Sequence, residues 1–235
     1  MSTSGDAGSG LTVEVLPVGA GGLLLEVADL EAVLVLASAL RAAAAEGAGP
    51  WSSVTDVVPA ARTVLLATTE GADLAALRAS VLALCDSVRV GYGSGPADGS
   101  GTAPKSHEVE VPVVYDGPDL DDVAARTGLT RAEVVAAHTG TPWRVAFGGF
   151  APGFAYLVGG DPRLVVPRRA SPRASVPAGS VGLAGEFSGV YPRASPGGWQ
   201  LLGTTDVVLW DADRDPPALL APGSTVRFVA VEAAS

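Results

Sequence analysis

The sequence is poor in the side chains that most catalytic motifs require. It has one cysteine, Cys85, one lysine, Lys105, and two histidines, His107 and His138. A single cysteine precludes an internal disulfide. The single lysine lies in a Gly/Ser/Pro-rich stretch but follows Pro104 and not a glycine, so no P-loop motif is present, and a Schiff-base or biotin-carrying lysine is not expected. Two histidines without a CxxC motif do not form a zinc-binding pattern. We therefore expect no bound metal and no covalent cofactor.

Basic charge is also scarce. The chain of 235 residues has 15 Lys and Arg against 25 Asp and Glu, a formal net charge of −10. This balance argues against binding to nucleic acid or to anionic membranes, which both need a basic surface. No apolar run reaches the length of a membrane span, and the first residues lack the pattern of a signal peptide. We therefore expect a cytoplasmic protein.

Residues 11–90 have the pattern of a small α/β domain. Two pairs of short apolar runs are each followed by a segment with helical periodicity, which Asp29 or Asp73 can cap at its N-terminus. The order of these elements is ββαββα. Because strands and helices must bury their apolar faces against each other, this order predicts a two-layer domain.

The rest of the chain divides by composition. Residues 1–10 predict a disordered tail, and the Gly/Ser/Pro-rich residues 91–106 predict a flexible linker. Residues 107–235 would then form a second domain, which opens with an alternating strand at 108–115. After Pro142 many short apolar runs alternate with Gly/Pro turns, as in a closed barrel or a sandwich.

Positive charge is concentrated in one part of this acidic chain. From 163 to 193 Glu186 is the only acid, whereas this stretch contains five arginines: Arg163, Arg168, Arg169, Arg173 and Arg193. A guanidinium can bind a carboxylate or phosphate through two parallel hydrogen bonds. Arg168, Arg169 and Arg173 are therefore candidates to bind a small anionic substrate. The alternative is that they pair with acids elsewhere in the chain or lie in solvent.

Four blocks in the same region carry a family resemblance. They are GF-x-PGF-x-YL at 149–157, PRR-x-x-PR-x-x-VPAGSV at 167–181, GVYP at 189–192 and SPGGW-x-L-x-G-x-T at 195–205. In this order they resemble the family called carboxyltransferase domain, subdomain C and D. This family comprises the B-type chain of 5-oxoprolinase, the kinase inhibitor KipI and allophanate hydrolase subunit 1. The resemblance extends over roughly residues 11 to 230.

The resemblance implies an α+β fold in which a small two-layer α/β domain is followed by a cyclophilin-like β-barrel domain. It also implies an enzyme subunit that is inactive alone and works with a C-type and an A-type subunit. The complex would convert 5-oxo-L-proline, ATP and water to L-glutamate, ADP and phosphate. Two alternatives stay open: a KipI-like inhibitor of a histidine kinase, and the carboxyltransferase half of a biotin-dependent urea carboxylase.

Candidate ligand contacts lie in the same blocks. Besides the three arginines, we predict substrate contacts from aromatic, glycine and amide residues, namely Phe154, Tyr156, Gly197, Gly198, Trp199 and Gln200. Glycines let a backbone N–H approach a ligand, although tight turns use them as well. Phe187 departs from the family pattern, which commonly has Gln at this position.

Three residues are candidates for catalysis. His138 can act as a proton shuttle near a barrel mouth, but it has no identified partner and can equally be structural. Tyr156 and Tyr191 follow Gly/Pro turns and can donate a hydrogen bond to a lactam or amide carbonyl. The alternative for both tyrosines is packing, with the hydroxyl satisfied by the backbone.

Overall fold

The computed structural model describes residues 11–88 and 108–232. The chain divides into two compact units, one within residues 1–100 and one within residues 101–235. The tail predicted at 1–10 and the linker predicted at 91–106 lie outside the described residues, as does His107. Of the helices described in these two ranges, none is long and apolar enough to cross a membrane.

The first unit is an antiparallel sheet with two helices. Its elements are β1 (Glu14–Pro17), β2 (Gly22–Glu26), α1 (Leu30–Glu46), a 3-10 turn (Gly49–Ser53), β3 (Val54–Pro59), β4 (Thr63–Thr68) and α2 (Leu74–Ser87). The strands lie in the order β1-β2-β4-β3. Asp29 and Asp73 accept hydrogen bonds from the backbone N–H groups that open α1 and α2. The predicted ββαββα order is confirmed.

One apolar core holds this unit together. Along α1, Val33, Leu36 and Leu40 are fully buried, and Leu77 and Val81 are fully buried along α2. Their spacing of three or four residues puts them on one face of each helix. These faces pack against the sheet, and Cys85 is part of the same core. Burial raises the pKa of the Cys85 thiol to about 11, as expected for a core cysteine.

The second unit is formed by nine strands and two helices. Its elements are β5 (Glu108–Val113), α3 (Leu120–Thr127), α4 (Arg131–Gly140), β6 (Trp143–Gly148), β7 (Ala155–Val158), a 3-10 turn (Pro162–Leu164), β8 (Arg173–Val176), β9 (Ser180–Ala184), β10 (Phe187–Val190), β11 (Ser195–Gly197), β12 (Gln200–Thr204) and β13 (Thr225–Ala230). Strands β8 and β11 pair with each other outside the main sheet.

The main sheet of this unit is a nearly closed barrel. Seven strands lie in the order β12-β9-β10-β7-β6-β13-β5. The two ends of this order are joined by an antiparallel bridge just beyond β5, where Val114 and Thr204 exchange two N–H···O bonds of 2.9 Å. Closure leaves few unpaired strand edges. The α+β class and the barrel in the second unit are confirmed.

Alternation along the strands places side chains on two sides of the barrel wall. On β7 Leu157 belongs to the barrel core, whereas its neighbour Tyr156 belongs to a second cluster. On β12 Leu202 and Leu201 divide in the same way. Because successive side chains of a strand point to opposite faces, the second cluster lies on the outer face of the wall. The candidate site lies on this outer face.

Candidate functional site

A small cavity lies in the second unit beside a group of aromatic side chains. Its volume is about 220 Å³. Pockets for drug-sized ligands measure about 300–1,000 Å³, so this cavity suits a compact molecule. It is lined by the four-residue group Pro172, Pro196, Gly197 and Gly198, by Arg168, and by the aromatic residues Phe150, Phe154, Tyr156, Tyr191 and Trp199. All of these residues lie in the blocks that carry the family resemblance.

The five aromatic rings interlock around Phe154. Its ring centroid lies 5.1 Å from that of Tyr156, 5.3 Å from those of Phe150 and Trp199, and 5.5 Å from that of Tyr191. All four pairs are edge-to-face, the arrangement that favours contact between the edge of one ring and the face of another. Phe154, Tyr191 and Trp199 are buried, whereas Phe150 is exposed at the rim with a left-handed φ of 68°.

Two glycines make room for these rings. A Cβ at Gly189 on β10 would lie 3.0 Å from Phe154 Cζ and 3.1 Å from Trp199 Cζ3. A Cβ at Gly197 would collide with the Tyr191 hydroxyl. Close packing explains both glycines without a ligand. Gly198 also lines the cavity, and its carbonyl accepts a 2.8 Å hydrogen bond from the Arg169 N–H.

Two of the three candidate arginines bind an acid of the chain itself. Arg169 Nη1 and Arg173 Nη2 each lie 2.7 Å from Asp119 Oδ1. The other oxygen of Asp119 accepts a 2.7 Å hydrogen bond from the Leu201 N–H on β12. Arg173 also donates to the Trp199 carbonyl at 3.4 Å. This pairing, one of the alternatives open from the sequence, fixes the segment that carries the arginines onto the barrel wall.

Asp119 is a buried carboxylate, only 1% exposed. Burial acts to raise its pKa, but the hydrogen bonds from Arg173 and Leu201 and the charges of Arg173 and Arg169 outweigh this, so the pKa lies below its ordinary value. Our sequence-based candidates did not include it. Asp119 directly precedes α3, where an aspartate ordinarily caps the helix, yet its side chain makes no capping bond. The missing capping bond is the one local feature that sets Asp119 apart from an ordinary N-cap. The sequence does not show that this bond is missing, so it gave no signal for Asp119.

Arg168 differs from its neighbours. Its side chain lines the cavity and is exposed. Within residues 11–88 and 108–232, no hydrogen bond or ion pair engages its guanidinium. Its positive charge is felt at Tyr191, where it acts to lower the pKa of the hydroxyl against the stronger raising effect of burial. Of the three arginines predicted to bind substrate, Arg168 is therefore the one with a free guanidinium at the cavity.

The two candidate tyrosines both line the cavity. Burial raises the pKa of the Tyr191 hydroxyl, and the Trp199 backbone acts to lower it. The Tyr156 ring stacks on Phe147 with a centroid distance of 4.5 Å, and its hydroxyl makes no hydrogen bond to the described part of the chain. Tyr156 therefore has a donor available to a ligand.

His138 lies in the interior of the barrel, away from the cavity lining. It is fully buried and stacks on Phe228 with a centroid distance of 4.3 Å. Its Nδ1 lies 2.7 Å from the Tyr115 hydroxyl, and its Nε2 lies 2.9 Å from Ser188 Oγ. Burial lowers its pKa to about 3, so the ring is neutral near pH 7. These contacts account for His138 as a core residue, the structural alternative given for it.

The last two residues of interest hold the cavity wall. Gln200 is buried, and its Nε2 donates a 3.1 Å hydrogen bond to the Pro167 carbonyl, next to Arg168. Phe187 packs edge-to-face on Tyr156 at 5.5 Å. The described residues contain no group of three or more His, Cys, Asp or Glu that can hold a metal ion.

The model of one protein family, described as the carboxyltransferase domain, subdomain C and D, matches residues 13–220. The chain belongs to this family.

Curated relatives carry a more specific name, the B-type chain of 5-oxoprolinase. The chain is 54% identical over 129 residues to the relative from Escherichia coli O157:H7, and the match covers 54% of this chain and 59% of that protein. It is 48% identical over 126 residues to the relative from Bacillus subtilis, and this match covers 52% of both chains. The matched stretch therefore spans somewhat more than half the length of these relatives.

Solved structures share the fold. The protein TTHA0988 is 35% identical with a TM-score of 0.67, over 96% of this chain and 41% of that chain. The urea carboxylase of Kluyveromyces lactis is 18% identical with a TM-score of 0.70, over 94% of this chain and 22% of that chain. At 18% identity this likeness concerns the fold alone. It agrees with the expected small α/β domain and cyclophilin-like barrel.

Proposed function

We propose that this chain is the B-type subunit of a cytoplasmic, ATP-dependent 5-oxoprolinase. The observation that carries the proposal is its local identity of 54% and 48% to two proteins that are named as B-type chains of 5-oxoprolinase. The complex would convert 5-oxo-L-proline, ATP and water to L-glutamate, ADP and phosphate. The chain would work with an A-type and a C-type subunit, and it would be inactive alone.

The cavity suits part of this reaction. Opening a lactam requires an enzyme to hold the substrate, orient its amide and stabilise the charge that develops on the amide oxygen. Arg168 offers a cation for the carboxylate, and the Tyr156 hydroxyl offers a donor for the lactam carbonyl. Aromatic walls exclude water from a flat ring. These groups support substrate binding by this chain.

ATP makes an otherwise uphill hydrolysis favourable. In the proposed sequence the lactam oxygen attacks the γ-phosphorus, and ADP leaves. Water then adds to the phosphorylated imidate, and the C–N bond breaks to give γ-glutamyl phosphate. A second water hydrolyses this acyl phosphate to glutamate and phosphate. The chain has no P-loop for the nucleotide. Its contribution would be one side of a cleft shared with the C-type subunit.

Purification of the tagged chain from its native cells tests this proposal. We expect stoichiometric recovery of an A-type and a C-type subunit, and ATP-dependent release of glutamate by the three together but not by the chain alone. Robust turnover by the isolated chain would contradict the shared cleft. Recovery of a sensor kinase or a biotinylated carboxylase in place of these subunits would replace the proposal by the corresponding alternative.

A further inference from the structure

Residues 167–173 lie beside the cavity, and the ion pairs that their arginines form limit which ligand can bind there. Arg169 and Arg173 share one oxygen of Asp119, each at 2.7 Å. Breaking these contacts would leave a buried carboxylate unpaired, which is strongly unfavourable. Both guanidiniums are therefore committed to the wall of the cavity, although a positive field from them persists there.

Arg168 is the arginine of this segment that has no ion pair with a described residue. In the sequence Arg168 stands between Pro167 and Arg169. Its side chain lines the cavity together with Pro172 and Tyr191. Its backbone is held on both sides, because the Pro167 carbonyl accepts from Gln200 and the Arg169 N–H donates to a glycine carbonyl. A free guanidinium on a fixed backbone is pre-organised to bind an anion.

The rest of the cavity restricts the size and charge of that anion. One free guanidinium matches one carboxylate through two parallel hydrogen bonds. In P-loop proteins and protein kinases, nucleoside triphosphates are held by a glycine-rich loop, a lysine and metal ions. The only lysine, Lys105, lies outside the described residues, and those described contain no group of three or more His, Cys, Asp or Glu that can hold a metal ion. The volume of about 220 Å³ and the aromatic walls favour a compact, flat body.

We infer that the cavity binds a compact acid with a single carboxylate, that Arg168 holds this carboxylate, and that Asp119 confines Arg169 and Arg173 to the cavity wall. The nucleotide used by the complex then binds elsewhere. Arg168 is a ligand-binding residue, and Asp119 is a positioning residue. The inference rests on the proposed function only for the identity of the acid, 5-oxoproline.

A ligand-observed NMR titration of the full chain tests this inference with four probes: L-5-oxoproline, its uncharged carboxamide, the flat monocarboxylate benzoate and MgATP. We expect the acid to bind at least about tenfold more tightly than the carboxamide, since a hydrogen bond to a charged group contributes about that much. MgATP should not displace the acid. Arg168→Gln should weaken acid binding about tenfold or more, and Arg168→Lys should weaken it less.

Arg193→Gln is the matched control, because it removes one exposed arginine from the same positive segment without touching the cavity lining. It should bind the acid like the unaltered chain, and all three variants should melt at the same temperature. Arg168-dependent binding of other flat monocarboxylates, with none of 5-oxoproline, would uphold the inference and count against the proposed function. Binding of no probe, displacement by MgATP, or unchanged binding by Arg168→Gln would overturn the inference.

Discussion

The two sides of the barrel wall differ in whether the chain supplies hydrogen-bond partners for a polar side chain. Inside, His138 is fully buried, and both of its ring nitrogens have hydrogen-bond partners in Tyr115 and Ser188. Outside, Arg168 lies at a cavity with a guanidinium that no described residue engages. A polar group with every partner supplied by the chain has nothing left for a ligand, whereas an unpaired cation does. The polar groups inside the wall are therefore structural, whereas the outside keeps a cation that a ligand can engage.

Asp119 fixes the arginines beside the cavity to the barrel wall. Its carboxylate accepts hydrogen bonds from the Leu201 N–H on β12 and from the guanidiniums of Arg169 and Arg173. The outer cavity thus depends on a buried acid that belongs to neither the aromatic cluster nor the barrel core. Substitutions of Asp119, His138 and Gly189 test this difference between the two sides, and the expected loss of stability decreases in that order.

Replacement of Asp119 should have the largest effect. Asp119→Ala leaves two guanidiniums and the Leu201 N–H without their shared acceptor, and breaking a buried ion pair costs about 3–5 kcal/mol. We expect the free energy of unfolding to fall by about that amount, as measured by urea denaturation. Asp121→Ala is the control, since its ion pair with Arg131 is exposed and exposed pairs contribute about 0–1 kcal/mol. Equal losses in the two variants would show that the buried pairing is not formed.

Acid should weaken the inside of the barrel through His138. In the unfolded chain this histidine titrates near its ordinary pKa of 6.5, whereas burial lowers the pKa to about 3 in the folded barrel. Between these values the unfolded state binds more protons, so the free energy of unfolding falls as the pH decreases below about 6.5. One proton accounts for about 2 kcal/mol between pH 7 and pH 5.

Denaturation of the chain and of His138→Asn at both pH values measures this effect. The variant lacks the titrating group, so its free energy of unfolding should change much less over the same interval. A variant that loses as much stability as the unaltered chain between pH 7 and pH 5 would rule out His138 as the group responsible. The histidine would then have to be charged, and therefore accessible, in the folded state.

Crowding the outer cluster should have the smallest effect on stability. In Gly189→Ala the new methyl group would press on Phe154 and Trp199 at 3.0–3.1 Å, and overpacking of this kind costs about 1 kcal/mol or more. We expect a modest loss of stability together with weaker binding of the acid, because both rings line the cavity. Gly148→Ala is a matched strand glycine whose Cβ would meet nothing closer than the Phe154 carbonyl oxygen at 3.7 Å. It should leave binding unchanged.

Much of the fold was predictable because local patterns specify it. Asp29 and Asp73 mark the starts of α1 and α2 as expected, and the short apolar runs after Pro142 correspond to strands of the barrel. The cavity was predictable in composition, since its lining comes from the Gly/Pro-rich blocks. Of the residues that we predicted as ligand contacts, Phe154, Tyr156, Gly197, Gly198 and Trp199 line the cavity, whereas Gln200 does not.

The roles of the polar residues were not predictable in the same way. Arg168, Arg169 and Arg173 look alike in the sequence, and only Asp119, 50 and 54 residues away from the two that it binds, distinguishes them. His138 could be a proton shuttle or a core residue until Ser188, 50 residues later, takes its Nε2. Hydrogen-bond partners at such separations leave no periodic trace in either segment.

The two units, their strands and helices, the family and the region of the candidate site can all be inferred from the amino-acid sequence alone. These features follow from turn residues, helix caps and the alternation of apolar side chains, which act over a few residues. Which arginine is free, and that both ring nitrogens of His138 have partners, depends on the tertiary structure. Barrel closure brings distant segments within hydrogen-bonding distance. Because a buried charge is unfavourable unless it is paired, it forms ion pairs and hydrogen bonds with the groups brought close to it.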